Sequence, residues 1–314
     1  MSIVECISLN DMSTVTPPAS AVLCLGNFDG MHLAHQELIK QAKALRDSRL
    51  QDAVCGVFCF RRPSWCFLSH DPPMQLCTLP QKLEAMRKAG AEYVYLADFP
   101  AISSLTPNEF LQRILCNSCH AVGAVCGFNY RFGVKGGGNA GDLLDFFGEN
   151  TSVVGEIQAN GQTVSSTRIR TLLKAGDAYR AALLLGRPYA LTAPVVHGKA
   201  LGKKLGAPTV NQFFPNELLI PRHGVYATQC TVDGITYRGV SNVGSHPTVD
   251  SNAAVNCETY LIGFCGDLYD RELTVEFLEY LRPEKKFSSP DELALQIQTD
   301  IEAAKAWKAP EVVL

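Results

Sequence analysis

The chain has 314 residues, enough for two domains of ordinary size, and 28 Lys and Arg against 31 Asp and Glu give a net charge of −3. Hydrophobic residues make up 46% and charged residues 19%, a balance that excludes wholesale disorder, collagen and coiled coil. Neither half carries a basic excess, so nucleic acid is not an expected partner.

The opening segment, MSIVECISLNDMSTVTPP, lacks the basic and apolar regions of a signal peptide. No apolar run reaches the ~18 residues of a membrane helix, and a cytoplasmic protein is expected. Residues 21–25 read as a buried strand that ends in Gly26-Asn27-Phe28-Asp29-Gly30. Residues 35–49 have helical periodicity, with Leu38, Ile39, Ala42 and Leu45 on one face. Strands are predicted at 53–60, 93–96 and 121–126, and helices at 80–89 and 107–115. This βαβα rhythm implies a parallel sheet covered by helices. The glycine run after Gly133 reads as a flexible loop, either mobile over a substrate or simply exposed. Helices follow at 168–174 and 178–185.

After Pro188 the texture changes. Short β-branched and aromatic runs at 193–197, 224–232, 235–243, 255–264 and 273–281 imply a small antiparallel barrel or sandwich. Asp233-Gly234 is a hairpin signal. An amphipathic helix over 290–307 closes the chain. The domain boundary is placed at 185/186, giving domains 1–185 and 186–314. The 12 cysteines mostly sit in apolar company and read as reduced core filler. Cys116, Cys119 and His120, with Cys126 nearby, lack the second ligand pair of a zinc site.

Two constellations carry chemistry. The first lies where a strand hands over to a helix, a setting that suits phosphate. Gly26, Phe28, Asp29 and Gly30 form the turn, and His32 and His35 follow at a spacing that puts both on one helical face. Two imidazoles there can hydrogen-bond phosphates and stabilise developing charge. Ser165, Ser166, Thr167 and Arg170 open a later helix with hydroxyls and a guanidinium. They form an N-cap with a solvated face, or they grip phosphate. The third piece of this constellation is Gly127-Phe128-Asn129-Tyr130-Arg131-Phe132-Gly133. The second constellation is the glycine- and lysine-rich stretch 198–211, with Gly202, Lys203 and Gly206, followed by Thr209 and Asn211. Glycine backbone and lysine charge suit phosphate, and two hard oxygen ligands one residue apart suit Mg²⁺. It is not a Walker A sequence.

In this order the pieces resemble the family of bacterial bifunctional riboflavin kinase/FMN adenylyltransferase (FAD synthetase). The first motif, G-x-F-D-G-x-H-x-G-H, is matched by Gly26, Phe28, Asp29, Gly30, His32 and His35; S-S-T-x-I-R is matched by Ser165, Ser166, Thr167, Ile169 and Arg170. G-x-x-L-G-x-P-T-x-N is matched by Gly202, Leu205, Gly206, Pro208, Thr209 and Asn211. Pro221 to Ala227, Asn242 to Thr248 and Leu281 to Phe287 match three more motifs, and Glu258 falls where the family has its catalytic glutamate. The resemblance implies a nucleotidyltransferase-like parallel sheet with helices, then a small antiparallel β-barrel and a C-terminal helix.

It also implies two reactions. Riboflavin and ATP give FMN; FMN and ATP give FAD and pyrophosphate. Mg²⁺ is the implied cofactor and small molecules are the partners. The implied catalytic residues are Glu258, His32 and His35. Gly26, Phe28, Asp29, Gly30, Asn129, Ser165, Ser166, Thr167, Arg170, Gly202, Lys203 and Gly206 would bind nucleotide, and Thr209 and Asn211 the metal. The first domain departs from the pattern at Ala34, at Arg61-Arg62-Pro63 in place of P-H-P, and in a longer loop after Gly133. The alternatives are a kinase with a degenerate first domain and a flavin-binding regulator without turnover. Tyr226, Phe264, Phe287 and Trp307 each read as core or as a partner stacked on the flavin, and the sequence does not choose among them.

Overall fold

Strands made wholly of small and apolar residues, such as β2 (Ala21–Leu25, AVLCL), β3 (Val54–Phe60, VCGVFCF) and β5 (Ala121–Gly127, AVGAVCG), must be covered on both faces. In the computed structural model, which describes residues 5–8 by backbone alone and 17–197, 209–245 and 255–309 in full, they are. With β1 (Glu5–Ser8), β4 (Tyr93–Ala97) and β8 (Thr151–Val154) they form a parallel sheet in the order β1-β4-β3-β2-β5-β8. Val22, Cys24, Cys55 and Val57 face α1 (Leu33–Arg49) on one side, where Leu38, Ile39 and Ala42 are buried. On the other side Leu23, Phe58 and Tyr95 pack with Phe110, Leu115, Phe132 and Leu143. From β2 the chain builds outward through β3 and β4, then crosses back to lay β5 on the other flank of β2. The C-terminal ends of β2 and β5 therefore flank a topological switch point, where open α/β sheets bind ligands.

Short helices α2 (Trp65–Leu68), α4 (Phe99–Ile102) and α5 (Pro107–Glu109) punctuate this unit, and α3 (Leu79–Ala89) carries a Thr78–Gln81 capping box. The helix expected over 107–115 is wound differently: after α5 the chain runs as a π-helix over Phe110–Ser118, and the Cys119 N–H donates to the Ile114 carbonyl five residues back. The glycine run leaves Val134, Lys135 and Gly137 exposed, as one of its two readings expects, but its ends are packed. It forms a packed hairpin of β6 (Arg131–Phe132) and β7 (Gly138–Asn139), followed by the capped helix α6 (Ala140–Phe147). A Cβ on Gly138 would meet the Phe132 ring at 2.6 Å, so this glycine serves close packing rather than looseness. A small ladder of β9 (Gln158–Ala159) and β10 (Gln162–Thr163) ends the unit.

By packing, the chain divides between Val164 and Ser165. The second unit opens with α7 (Ser166–Ala175) and α8 (Ala178–Leu185), whose Leu172, Leu173, Leu184 and Leu185 are buried. Their attachment, including the Arg222 N–H bonded to the Leu173 carbonyl, sets the packing division earlier than the change in sequence texture. Strands β11 (Tyr189–Pro194), β12 (Thr209–Phe213), β13 (Gly224–Val232), β14 (Ile235–Ser245), β15 (Val255–Leu261) and β16 (Glu272–Arg282) form one antiparallel sheet in the order β11-β16-β13-β14-β15-β12. Val196 bridges Asn211, and the buried Gln212 amide donates to the Ala193 and Leu273 carbonyls at 2.6 and 2.8 Å. These bonds join the two ends of the order into a barrel. Asp233 (φ 50°) and Gly234 (φ 83°) make the expected hairpin turn between β13 and β14. Helix α9 (Pro290–Ala306) packs on β13 and β14 and ends just before Trp307.

Candidate active sites

The turn after β2 is built from backbone conformations that most residues avoid. Phe28, Gly30 and Met31 have φ of 53°, 78° and 45°. Side chains and neighbouring backbone hold it there. The Asp29 carboxylate, 1% exposed, accepts the Leu76 N–H at 2.8 Å; the Gly30 N–H points at the Cys77 sulfur at 3.2 Å; and Asn27 accepts the Ser64 N–H at 3.4 Å. The turn delivers His32 to the N-cap of α1, and its carbonyl accepts the His35 N–H at 2.8 Å. The two imidazoles stack with centroids 3.6 Å apart and planes within 12°. Phe28 is fully buried with its ring 5.1 Å from His35, so it supports the pair from below. Gly26 packs against the Phe28 ring, where a Cβ would lie 3.3 Å from it. Burial, reinforced by the neighbouring charges of His32 and Lys82, holds His35 well below the ordinary imidazole range.

Asn129 is exposed in the turn after β5, the other strand of the switch point. Arg62, two residues beyond β3, is exposed over the Phe67 ring at 5.4 Å, and Ala34 is half-buried in the first turn of α1. Lys82 was not foreseen: it is 1% exposed, and its Nζ donates to the Phe60 carbonyl at 3.3 Å. Its place in the helical pattern of 80–89 carried no distinguishing signal. Ser165 caps α7, its hydroxyl accepting the Arg168 N–H at 3.2 Å; Ser166 and Arg170 are half-buried and Thr167 is exposed in the same first turns.

In the second unit, Glu258 lies in the middle of β15, directly opposite Asn211 on β12 and Asn242 on β14. Period-two alternation puts Thr209 and Asn211 on one face of β12, and Asn256, Glu258 and Tyr260 on one face of β15. The Asn256 amide donates to Glu258 at 3.3 Å and to the Asn211 Oδ1 at 3.4 Å. Asn211 is 7% exposed, so this long contact leaves a buried oxygen with acceptor capacity. Glu258, Thr209 and Tyr260 line a cavity of about 260 Å³ whose apolar wall includes Val225, Val240 and Ile297. Phe287 lines it too, with Arg282 and Lys285 over its ring at 5.8 and 5.4 Å. The other aromatic candidates lie elsewhere: Tyr226 is core against Phe277, Phe264 packs on Tyr237, and Trp307 lies under Arg238.

Two further groups complete the cavity. Asn242 donates to Glu284 at 3.2 Å, and the same carboxylate lies against Gly244, where a Cβ would require it to shift. Arg282 grips the 5% exposed Asp300 of α9 through Nε at 3.0 Å and Nη2 at 2.7 Å. The sequence placed Asn242, Arg282 and Glu284 in motifs without giving them a site role, and Asn256 had no signal beyond lying two residues before Glu258. Gly202, Lys203 and Gly206 lie outside the described residues. Among those described, no three His, Cys, Asp or Glu converge as a metal cluster. Cys119 and Cys126 are buried, and burial pushes the Cys126 thiol up to about 11, away from reactivity.

Two family models match the chain: FAD synthetase over residues 15–168 and riboflavin kinase over 185–308. Relatives include the bifunctional riboflavin kinase/FMN adenylyltransferase of Listeria monocytogenes, 33% identical over 92% of both chains. Those of Pseudomonas fluorescens (34%, over 92% of this chain and 93% of the relative) and Bacillus subtilis (31%, over 91% and 92%) are similar in extent. A crystal structure described as a macrolide-efflux protein from Streptococcus pneumoniae superposes with a TM-score of 0.87 at 29% identity, covering 97% of this chain and 100% of that one. Among the described residues, no helix is long and apolar enough to cross a membrane.

Proposed function

The chain belongs to the family of bifunctional riboflavin kinases/FMN adenylyltransferases, and on that premise we propose that it converts riboflavin and ATP to FMN and ADP, then FMN and ATP to FAD and pyrophosphate. We assign phosphorylation to residues 186–314 and adenylyl transfer to 1–185, which add α7 and α8 to the first packing unit. The observation that carries the reading is the setting of Glu258, a carboxylate lining a largely apolar cavity and facing two strands of amide and hydroxyl side chains.

In the kinase reaction the isoalloxazine ring occupies the apolar part of the cavity, with Phe287 as its aromatic partner. Glu258 accepts the proton of the terminal ribityl hydroxyl as that oxygen attacks the γ-phosphorus of ATP. The bond from the γ-phosphorus to the β–γ bridging oxygen breaks and ADP leaves. Thr209 and Asn211 fit Mg²⁺: both offer hard oxygens on one face of β12, and the buried Asn211 Oδ1 has spare acceptor capacity. When bound, the ion would neutralise charge on the phosphates. Gly202, Lys203 and Gly206 are assigned to nucleotide binding from sequence.

In adenylyl transfer a phosphate oxygen of FMN attacks the α-phosphorus of ATP, and pyrophosphate departs. His32 and His35 supply hydrogen bonds to the phosphate oxygens where charge accumulates. Gly26 and Gly30 admit the nucleotide to the backbone, while Phe28 and Asp29 hold the turn in shape. Asn129 contributes from the β5 side, and Ser165, Ser166, Thr167 and Arg170 are assigned to phosphate binding from sequence. The protein works in the cytoplasm, on small molecules and without nucleic acid.

The test is a quenched time course with riboflavin, excess ATP and Mg²⁺, with the flavins separated by chromatography. The expected result is FMN that rises and then converts to FAD. FMN accumulating without FAD would reduce the assignment to a kinase. No FMN from folded protein would overturn it.

A further inference from the structure

Lys82 is a cation placed where a structural residue would not need one. It is 1% exposed and sits one turn into α3. Its ammonium has three protons to place, and among the described residues it makes one side-chain hydrogen bond, to the Phe60 carbonyl. No carboxylate among the described residues forms an ion pair with it. A buried ammonium without a counter-charge is costly, and a carbonyl offsets only part of the cost.

Its position explains what the charge faces. Phe60 ends β3, two residues beyond the Phe58 that pairs with Leu25 at the end of β2. The segment entering α3 is tied to the turn before α1 by the Leu76–Asp29 and Cys77–Gly30 hydrogen bonds. Lys82 thus lies behind the histidine turn, at the C-terminal edge of the sheet. The same cation helps keep the His35 imidazole neutral.

We propose that Lys82 is a phosphate-binding residue of the adenylyl-transfer site, with its ammonium completing its hydrogen bonds on the pyrophosphate portion of ATP. The four-carbon stem lets the charge reorient from the Phe60 carbonyl to a polyphosphate oxygen. As the α-phosphorus bond to the bridging oxygen breaks, negative charge grows on the departing pyrophosphate, and a positioned cation is most useful there. The proposal rests on the assignment of adenylyl transfer to the first domain.

The experiment compares the full-length protein with Lys82→Met and Lys82→Arg. Calorimetry with inorganic pyrophosphate, FAD formation from FMN at varied ATP, and thermal unfolding are measured on each. Methionine nearly matches the length of the lysine stem, and replacing an unpaired buried charge with it should not lower stability. The expected result is a ten- to hundredfold loss of pyrophosphate affinity and of kcat/KM for ATP in Lys82→Met, about the scale of a lost charge-assisted hydrogen bond. Unfolding should come no earlier than in the parent, and Lys82→Arg should recover most of the loss. Unchanged pyrophosphate affinity in Lys82→Met overturns the proposal. So does a loss that Lys82→Arg fails to recover while both variants unfold earlier, which would make the residue structural. If the parent makes no FAD, the assignment of the first domain fails, yet the calorimetry still decides Lys82. Pyrophosphate binding that disappears in Lys82→Met sustains it, and a parent that binds no pyrophosphate overturns it.

Discussion

The first unit gathers its histidines from one stretch of chain, whereas the second gathers its site from five strands and a helix. In the first, β2, a strained turn and the start of α1 are consecutive, and the stacked pair His32–His35 is separated by less than one helical turn. In the second, Asn211, Asn242 and Glu258 meet only because β12, β14 and β15 pair in one register, and Arg282 reaches Asp300 on α9. The first site depends on local backbone geometry secured by a few tethers. The second depends on the barrel closing correctly, so a change far from its chemistry can empty it.

The sharpest way to break this comparison is Glu258→Gln. FMN formation should fall by about 10²- to 10⁴-fold, the range of a lost general base, while FAD formation from added FMN stays intact. Equal loss of both activities from folded protein would refute the division of labour. The converse variant, His32→Ala, should lower pyrophosphate release from FMN and ATP by about 10²-fold and spare the kinase. A rate unaffected by it would point to a first domain that no longer transfers adenylate.

Asp300→Ala tests whether the second site is held from a distance. Leaving Arg282 half-buried without its carboxylate should cost about 3 kcal/mol. Amide exchange should quicken in β16 and α9 but not in β2 and α1, and KM for riboflavin should rise. Quickening in both units would mean that the two do not open independently. Phe287→Ala should raise KM for riboflavin about tenfold with KM for ATP unchanged, as expected for a lost ring contact. A shift in KM for ATP would move the ring elsewhere.

The smallest effect is one of pH. His35 is held below its ordinary value by burial and by the neighbouring His32 and Lys82, so the unfolded chain takes up this proton first as pH falls. Its contribution to stability is complete above the ordinary imidazole value of about 6.5 and is lost progressively below it. Hydrogen exchange in α1 should therefore quicken as pH drops below about 6.5, after correction for intrinsic rates, and His35→Gln should flatten that dependence. An unchanged slope would mean that His35 is protonated in the folded state.

How legible each site was follows from the same contrast. Gly26 to His35 could be read in the chain because turn residues and helical spacing are local signals. Asn256 and Lys82 could not. An asparagine in a strand and a lysine in a helix look the same in sequence whether they face solvent or a site. The glycine run after Gly133 was ambiguous because glycine permits both a loose loop and close contact, and only the Phe132 ring above Gly138 decides for that residue.

By itself the sequence determined much of the order of elements, though not β1, β8 or β12, together with the change from α/β to β-rich texture, the hairpin at Asp233-Gly234 and the motifs that carry the family. These rest on periodicity and turn chemistry, which act over a few residues. Only the tertiary structure decided the switch point beside β2, the closure of the barrel through Gln212, the place of Phe287 in the lining of the cavity and the burial of Lys82. Each of these is a contact between segments distant in the chain, set by strand register and packing, and no local pattern encodes it.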